Sequence, residues 1–191
     1  MRRLSIVLGM LLTATLVGWS PAGAADAGMT DVTLRFVGYP CDGCVVTATG
    51  ESAPANGYNG AKGTKVRDGR VTISIPTDET MGVYFAVDNP KFGFIGAETL
   101  IVMQYPGEEP GARVTRKAAR HEKKASACWA GTDQSETTLR IRLSTVRDRD
   151  MTGKSTKSLL AWAQPTVASD GGVTPTDKGR VLINGDLSCG S

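Results

Sequence analysis

VTLRFVGYPCDGCVVTATG, running from Val32 to Gly50, decides how the rest of the chain is read. Val32, Leu34 and Phe36 alternate with Thr33 and Arg35. Apolar residues at every second position mark a half-buried strand. Cys41-Asp42-Gly43-Cys44 follows. Asp-Gly suits the centre of a two-residue hairpin turn, where both residues take positive φ. Residues flanking such a turn face each other at about 5.5 Å between Cα atoms, a distance a disulfide can span. Val45, Val46 and Thr47 then resume a strand-forming run. The expectation is a hairpin with a structural disulfide across its turn.

The same residues resemble the heavy-metal-associated domain of copper chaperones. In that family a strand runs into Gly-Met-x-Cys-x-x-Cys and then a helix. Gly38, Cys41 and Cys44 match, and Tyr39 stands where Met is usual. The resemblance implies the alternative function, an exported metal-binding or redox protein using Cys41 and Cys44. The chain behind Cys44 departs from that pattern. Pro54 and the glycines at 50, 57, 60 and 63 leave no room for an amphipathic helix. The structural disulfide is therefore preferred, with no metal ligands and no cofactor expected.

Residues 1–24 read as a secretory signal. Arg2 and Arg3 open it, Leu4 to Val17 is an apolar core too short for a comfortable span, and Ala22-Gly23-Ala24 has the small-x-small cleavage pattern. The secreted domain is then 25–191, about 167 residues, one domain's worth of chain. Removing the two leader arginines takes Lys+Arg from 22 to 20 against 19 acids, so the mature charge is near neutral. The formal +3 of the whole chain thus overstates any affinity for nucleic acid, and none specific is expected. No further apolar run approaches transmembrane length. Cys41, Cys44, Cys128 and Cys189 all fall in the mature part, and an even count in an exported chain reads as disulfides. Three pairings are open. Cys41–Cys44 with Cys128–Cys189 is favoured, and the crossed pairings are its competitors.

Further along, Arg70 to Ile75 places Val71, Ile73 and Ile75 on one face behind a second Asp-Gly, Asp68-Gly69, which predicts a hairpin with Thr64 to Arg67. Gly82–Val87, Thr99–Tyr105, Ala127–Trp129, Thr137–Val146, Leu159–Gln164 and Arg180–Leu187 read as further strands. Thr99–Tyr105 is apolar on both faces and suits a central position. Arg140 and Arg142 oppose Leu139, Ile141 and Leu143, so their face should meet solvent. Arg147 to Thr156 reads as a polar loop. Lys91 to Gly96 sets Phe92 and Phe94 between glycines, as an end plug of the core or a binding tip.

About nine short strands without a long helix predict an all-β fold, a single antiparallel β-sandwich supported by disulfides. The alternation and repeated hairpins resemble the immunoglobulin-like or prealbumin-like sandwiches of exported bacterial proteins. Cys128-Trp129-Ala130-Gly131 and the C-terminal Cys189 resemble a group of small secreted actinobacterial proteins. Neither resemblance brings functional residues with it.

Catalytic patterns are scarce. His121 is the sole histidine, no Gly-x-Ser-x-Gly elbow occurs, and no Gly-x-Gly-x-x-Gly or Walker lysine is present. The chain therefore reads as a binding module and not as an enzyme. Its most marked surface feature is RVTRKAARHEKK, with Arg113, Arg116, Lys117, Arg120, Lys123 and Lys124 opposed only by Glu122. Three-and-four spacing would set most of these on one side of a short helix. That face is the expected site for an anionic cell-envelope polymer.

Overall fold

A computed structural model describes residues 28–90, 98–105, 108–109, 111–121, 125–149, 155–166 and 189. The expected signal, the Phe92/Phe94 segment, Lys123, Lys124 and the expected strand over 180–187 lie outside them.

The regular structure of the described chain is almost wholly strand: β1 (Met29–Gly38), β2 (Val45–Thr49), β3 (Thr64–Lys65), β4 (Arg70–Pro76), β5 (Tyr84–Asp88), β6 (Thr99–Val102), β7 (Glu136–Arg149) and β8 (Ser155–Ala163). One six-residue helix, α1 (Arg116–His121), lies between β6 and β7. A sandwich would need two separate sheets. Hydrogen bonding instead runs continuously through β3-β2-β5-β6-β8-β7-β1-β4, a single eight-stranded sheet. Its two ends, β3 and β4, are joined by their own hairpin, so the sheet curls nearly shut like a barrel. It is also mixed: β1–β7 and β6–β8 are parallel, where an antiparallel fold is expected.

The reason for closure is the side-chain alternation. Val32, Leu34, Val46, Ile73, Phe85, Ile141 and Ala161 come from six different strands yet fall in one buried cluster. Phe85 is wholly buried and meets Trp129 with ring centroids 6.0 Å apart. Burying a side chain of that size is worth roughly 1.5–3 kcal/mol.

The two Asp-Gly turns behave differently. At 68–69 both residues take positive φ, 50° and 68°, and Arg67 and Arg70 exchange two backbone hydrogen bonds of 3.0 Å. This is the expected hairpin turn. At 42–43 only Gly43 does so, with φ 84°, and the Cys44 amide donates to the Cys41 carbonyl at 2.8 Å. Positive φ at the third turn residue alone is a type II geometry, whose twist splays the flanking strands. The expected hairpin of β1 with β2 is therefore absent: β1 pairs with β4 and β7, β2 with β3 and β5. The cystine turn instead stitches the sheet ends. Asp42 Oδ1 accepts from the Gly69 amide at 2.9 Å, and the Gly43 amide donates to Val66 at 3.0 Å.

Both favoured disulfides are present, Cys41–Cys44 with Cα atoms 5.2 Å apart and Cys128–Cys189 with 5.6 Å. Cys128 is not in a strand. Its segment is extended and borrows partners on both sides: Ser126 bridges to Gln104, and the Trp129 amide donates to Val83 at 2.8 Å. Both flanks of the expected loop over 147–156 are strand, since β7 and β8 pair out to Arg149 opposite Ser155, while 150–154 lie outside the described residues.

Outside the main core, α1 closes a second cluster. Trp162, Leu160, Val102 and Val146 pack there against Val114, Ala119 and Ala125. This cover buries Val102 on the outer face of β6, and Ala127 covers Leu100 beside it, so β6 is buried on both faces.

Glu98, just ahead of β6, is half-buried. Burial raises its pKa, the adjacent Asp88 adds to the rise, and a hydrogen bond from Thr47 partly offsets it. A carboxyl raised in the folded state favours folding while protonated, and that advantage is lost as pH climbs through the unfolded value toward the folded one. Glu98→Gln is thus expected to raise the melting temperature at about pH 7 and to change it little at about pH 4. Melts of both proteins at the two pH values check this; an equal shift at both would contradict it.

Candidate anion-binding face

The outward positions of three adjacent strands line up in rows. The register of β1 with β4 and with β7 sets Arg35 directly opposite Arg70 on one side and Arg140 on the other. Two residues toward the start of β1, Thr33 lies between Thr72 and Thr138. Two further, Asp31 lies between Ser74 and Glu136. The face is therefore zoned: an arginine row, a threonine row, then a row with two carboxylates.

Backbone bonds fix the pairing in detail. The Phe36 amide donates to Gly69, and the Thr77 amide to Gly28. Hydrogen-bonded pairs alternate with non-bonded ones along an antiparallel ladder. Arg35–Arg70, Thr33–Thr72 and Asp31–Ser74 are thus the non-bonded pairs, whose Cα atoms approach to about 4.5 Å with side chains nearest. The side chains agree. Thr33 and Thr72 hydroxyls meet at 2.8 Å, and Ser74 Oγ donates to the Asp31 carboxylate.

Arg35, Arg70 and Arg140 are all exposed, and among the described residues none makes an ion pair. Like charges directly opposite each other in a sheet destabilise it, by roughly 0.2–1 kcal/mol per pair. Asp31 and Glu136 give little relief. They lie four residues away along the strands, about 13 Å, beyond the Debye length of about 8 Å at physiological salt.

The cations extend past this row. Arg142 is the next outward residue of β7 and stands opposite Val37. Beyond it, Arg116 of α1 donates through Nε to Ser144 Oγ at 2.8 Å and through Nη2 to the Thr145 carbonyl. Arg120 donates to the Arg147 carbonyl at 3.2 Å. In the other direction, Lys65, Arg67 and Arg70 line an open groove of about 780 Å³ at the β3–β4 end, with Asp68 the one acid among its described lining residues.

The sequence-predicted site is thereby redistributed. Thr115 caps α1, its Oγ1 accepting from the Ala118 amide at 3.1 Å. Arg116 and Lys117 begin the helix, the end where positive charge is disfavoured. Arg116 and Arg120 grip carbonyls of β7 and help hold α1 down, so part of their donor capacity is already used. Arg113 and Lys117 are exposed. Arg35, Arg70, Arg140 and Arg142 are the additions. Their outward alternation is legible in sequence; their alignment depends on pairing between residues far apart in the chain.

Other chemistry-bearing groups stay apart. Cys41 and Cys44 are both buried, and Cys44 leads straight into a strand, where the copper-chaperone pattern needs a helix. No cluster of metal-ligating side chains occurs among the described residues. Burial, then the adjoining Glu79 carboxylate, pushes the Tyr58 phenol up to about 12, so it holds its proton near neutrality. No helix among the described residues is long and apolar enough to cross a membrane. No protein-family model, no curated protein and no solved structure matches the chain.

Proposed function

We propose that the protein is a secreted, non-catalytic binding module that takes an anionic cell-envelope polymer on the outward face of β4, β1 and β7. The observation that carries this reading is the row Arg70–Arg35–Arg140, three exposed guanidinium groups aligned across neighbouring strands without acidic partners among the described residues. Guanidinium binds phosphate and carboxylate through paired N–H donors, and the adjoining threonine hydroxyls can bond a polymer's uncharged oxygens. Export is supported by the two disulfides, which persist in oxidising compartments. The curled sheet then plays the scaffold role that a sandwich plays in the exported immunoglobulin-like and prealbumin-like proteins, and in the small secreted actinobacterial proteins, that the sequence resembles.

Calorimetric titration with purified glycerol-phosphate teichoic acid tests the reading. Replacing Arg35, Arg70 and Arg140 together by Ala is expected to abolish most of the affinity. In the intact protein, three released counterions predict a loss of about twentyfold in affinity for a fourfold rise in salt. Binding that ignores both treatments would end the proposal.

A further inference from the structure

Among the described strands, β4 sits at one end of the order and pairs only with β1. The alternation fixed above assigns its backbone groups. Val71, Ile73 and Ile75 turn their N–H and C=O toward β1, because the bonds Phe36→Gly69 and Thr77→Gly28 bracket that ladder with the same parity. Arg70, Thr72 and Ser74 turn theirs the other way. Arg70 spends both on Arg67 in the hairpin turn. Beyond that bridge, the N–H and C=O of Thr72 and of Ser74 have no backbone or side-chain partner among the described residues. Both residues are exposed. In the hairpin register Lys65 stands level with Thr72, but β3 spends its pairing on β2 and bridges β4 nowhere beyond Arg67–Arg70 among the described residues, leaving an open groove between the two strands.

An open strand edge is a template for another strand. Proteins commonly blunt such an edge with an inward charge, a bulge or a central proline; here Pro76 comes only at the last position of β4. The groove beside the edge is cationic, with Lys65, Arg67 and Arg70 against Asp68 among its described lining residues. We infer that the outer edge of β4 is a strand-addition site for an extended acidic peptide. The incoming strand would bond its main chain to Thr72 and Ser74, and set its outward carboxylates beside Arg70 and Arg67. Recognition of this kind takes affinity from the main chain and specificity from alternate side chains. It uses the free backbone of the strand edge, which polymer binding does not need, although the Arg70 side chain serves both.

The probe is a blocked peptide of alternating residues, Glu-Val-Glu-Val-Glu, with a Lys-Val counterpart of the same length, added to the intact protein. The acidic peptide is expected to bind, to shift the Thr72 and Ser74 amide resonances and to slow their hydrogen exchange. The Lys-Val peptide is expected not to bind. Thr72→Pro removes an outward N–H and fills the edge with the ring, while leaving the β1 ladder whole. It should weaken the peptide by about tenfold or more, while changing teichoic acid affinity no more than Thr72→Val does, a variant that loses the same hydroxyl but keeps the outward N–H. Arg35→Thr and Arg140→Thr should do the reverse, so failure of one reading is told from failure of the other. Should Thr72→Pro misfold, acidic peptides N-methylated at one or the other set of alternate residues decide the matter on the unaltered protein. One of the two sets should lose binding. Equal binding of both sets and the unmethylated peptide would overturn the inference. So would Thr72 and Ser74 amides protected before any peptide is added, since the edge would then already be filled.

Discussion

Removing the Cys128–Cys189 pair alone, by replacing both residues with Ala, should lower stability by about 4 kcal/mol. The two cysteines are 61 residues apart in sequence, and on the chain-entropy account a closed loop of that size restricts the unfolded chain by about that amount. The same account gives about 2 kcal/mol for the Cys41–Cys44 loop, whose separation is 3 residues. Local contacts add to the larger effect. Cys128 is buried, and its segment supplies the Trp129 amide to Val83 and takes the Gly82 amide in return. The Cys189 carbonyl lies 3.0 Å from where a Cβ on Gly82 would stand, and Gly82 has φ 79°, so the chain end is seated closely on that turn. Chemical denaturation of the two double variants measures both losses. Equal losses, or a larger one at Cys41–Cys44, would contradict this ordering.

The second large effect is a pair of opposite signs. Arg35→Thr should make the fold more stable and the polymer complex weaker. Arg35 is the middle of its row and faces a like charge on each side. Removing it relieves both repulsions, worth together roughly 0.5–2 kcal/mol, and threonine suits an exposed strand position at least as well. Affinity for teichoic acid should fall at the same time, with a shallower salt dependence. A residue kept for stability would show the other pattern, losing stability when replaced. Paired denaturation and binding curves for Arg35→Thr separate the two. Lowered stability with unchanged affinity would remove the functional meaning given to the row.

Distance along the chain decides how much of the fold and of the face is legible in the amino-acid sequence. The Asp68-Gly69 hairpin and the strand behind it are local, and the alternation of Val71, Ile73 and Ile75 fixes their inward face. Both disulfide pairs are also within reach, since four cysteines allow few pairings. The order of the strands is not local. Nothing near Asp42-Gly43 shows that its turn directs β1 and β2 to different partners, because one φ angle decides that. The basic segment is visible as a run of letters, yet Arg116 and Arg120 are drawn onto β7 carbonyls that sequence cannot place. Conversely, Arg35, Arg70 and Arg140 look like three ordinary solvent-facing residues. Only the register of three strands makes them neighbours. Parallel pairing of β1 with β7 joins residues about a hundred positions apart, a contact that no hairpin signal announces.

The most direct measurement is nuclear magnetic resonance of the arginine Nε–H groups during titration with short glycerol-phosphate oligomers. The guanidinium signals of Arg35, Arg70 and Arg140 should move together and saturate at one ligand concentration, with smaller movements at Arg142 and Arg116. Signals from that row that stay still while Arg113 or others far from β1 respond would contradict the account.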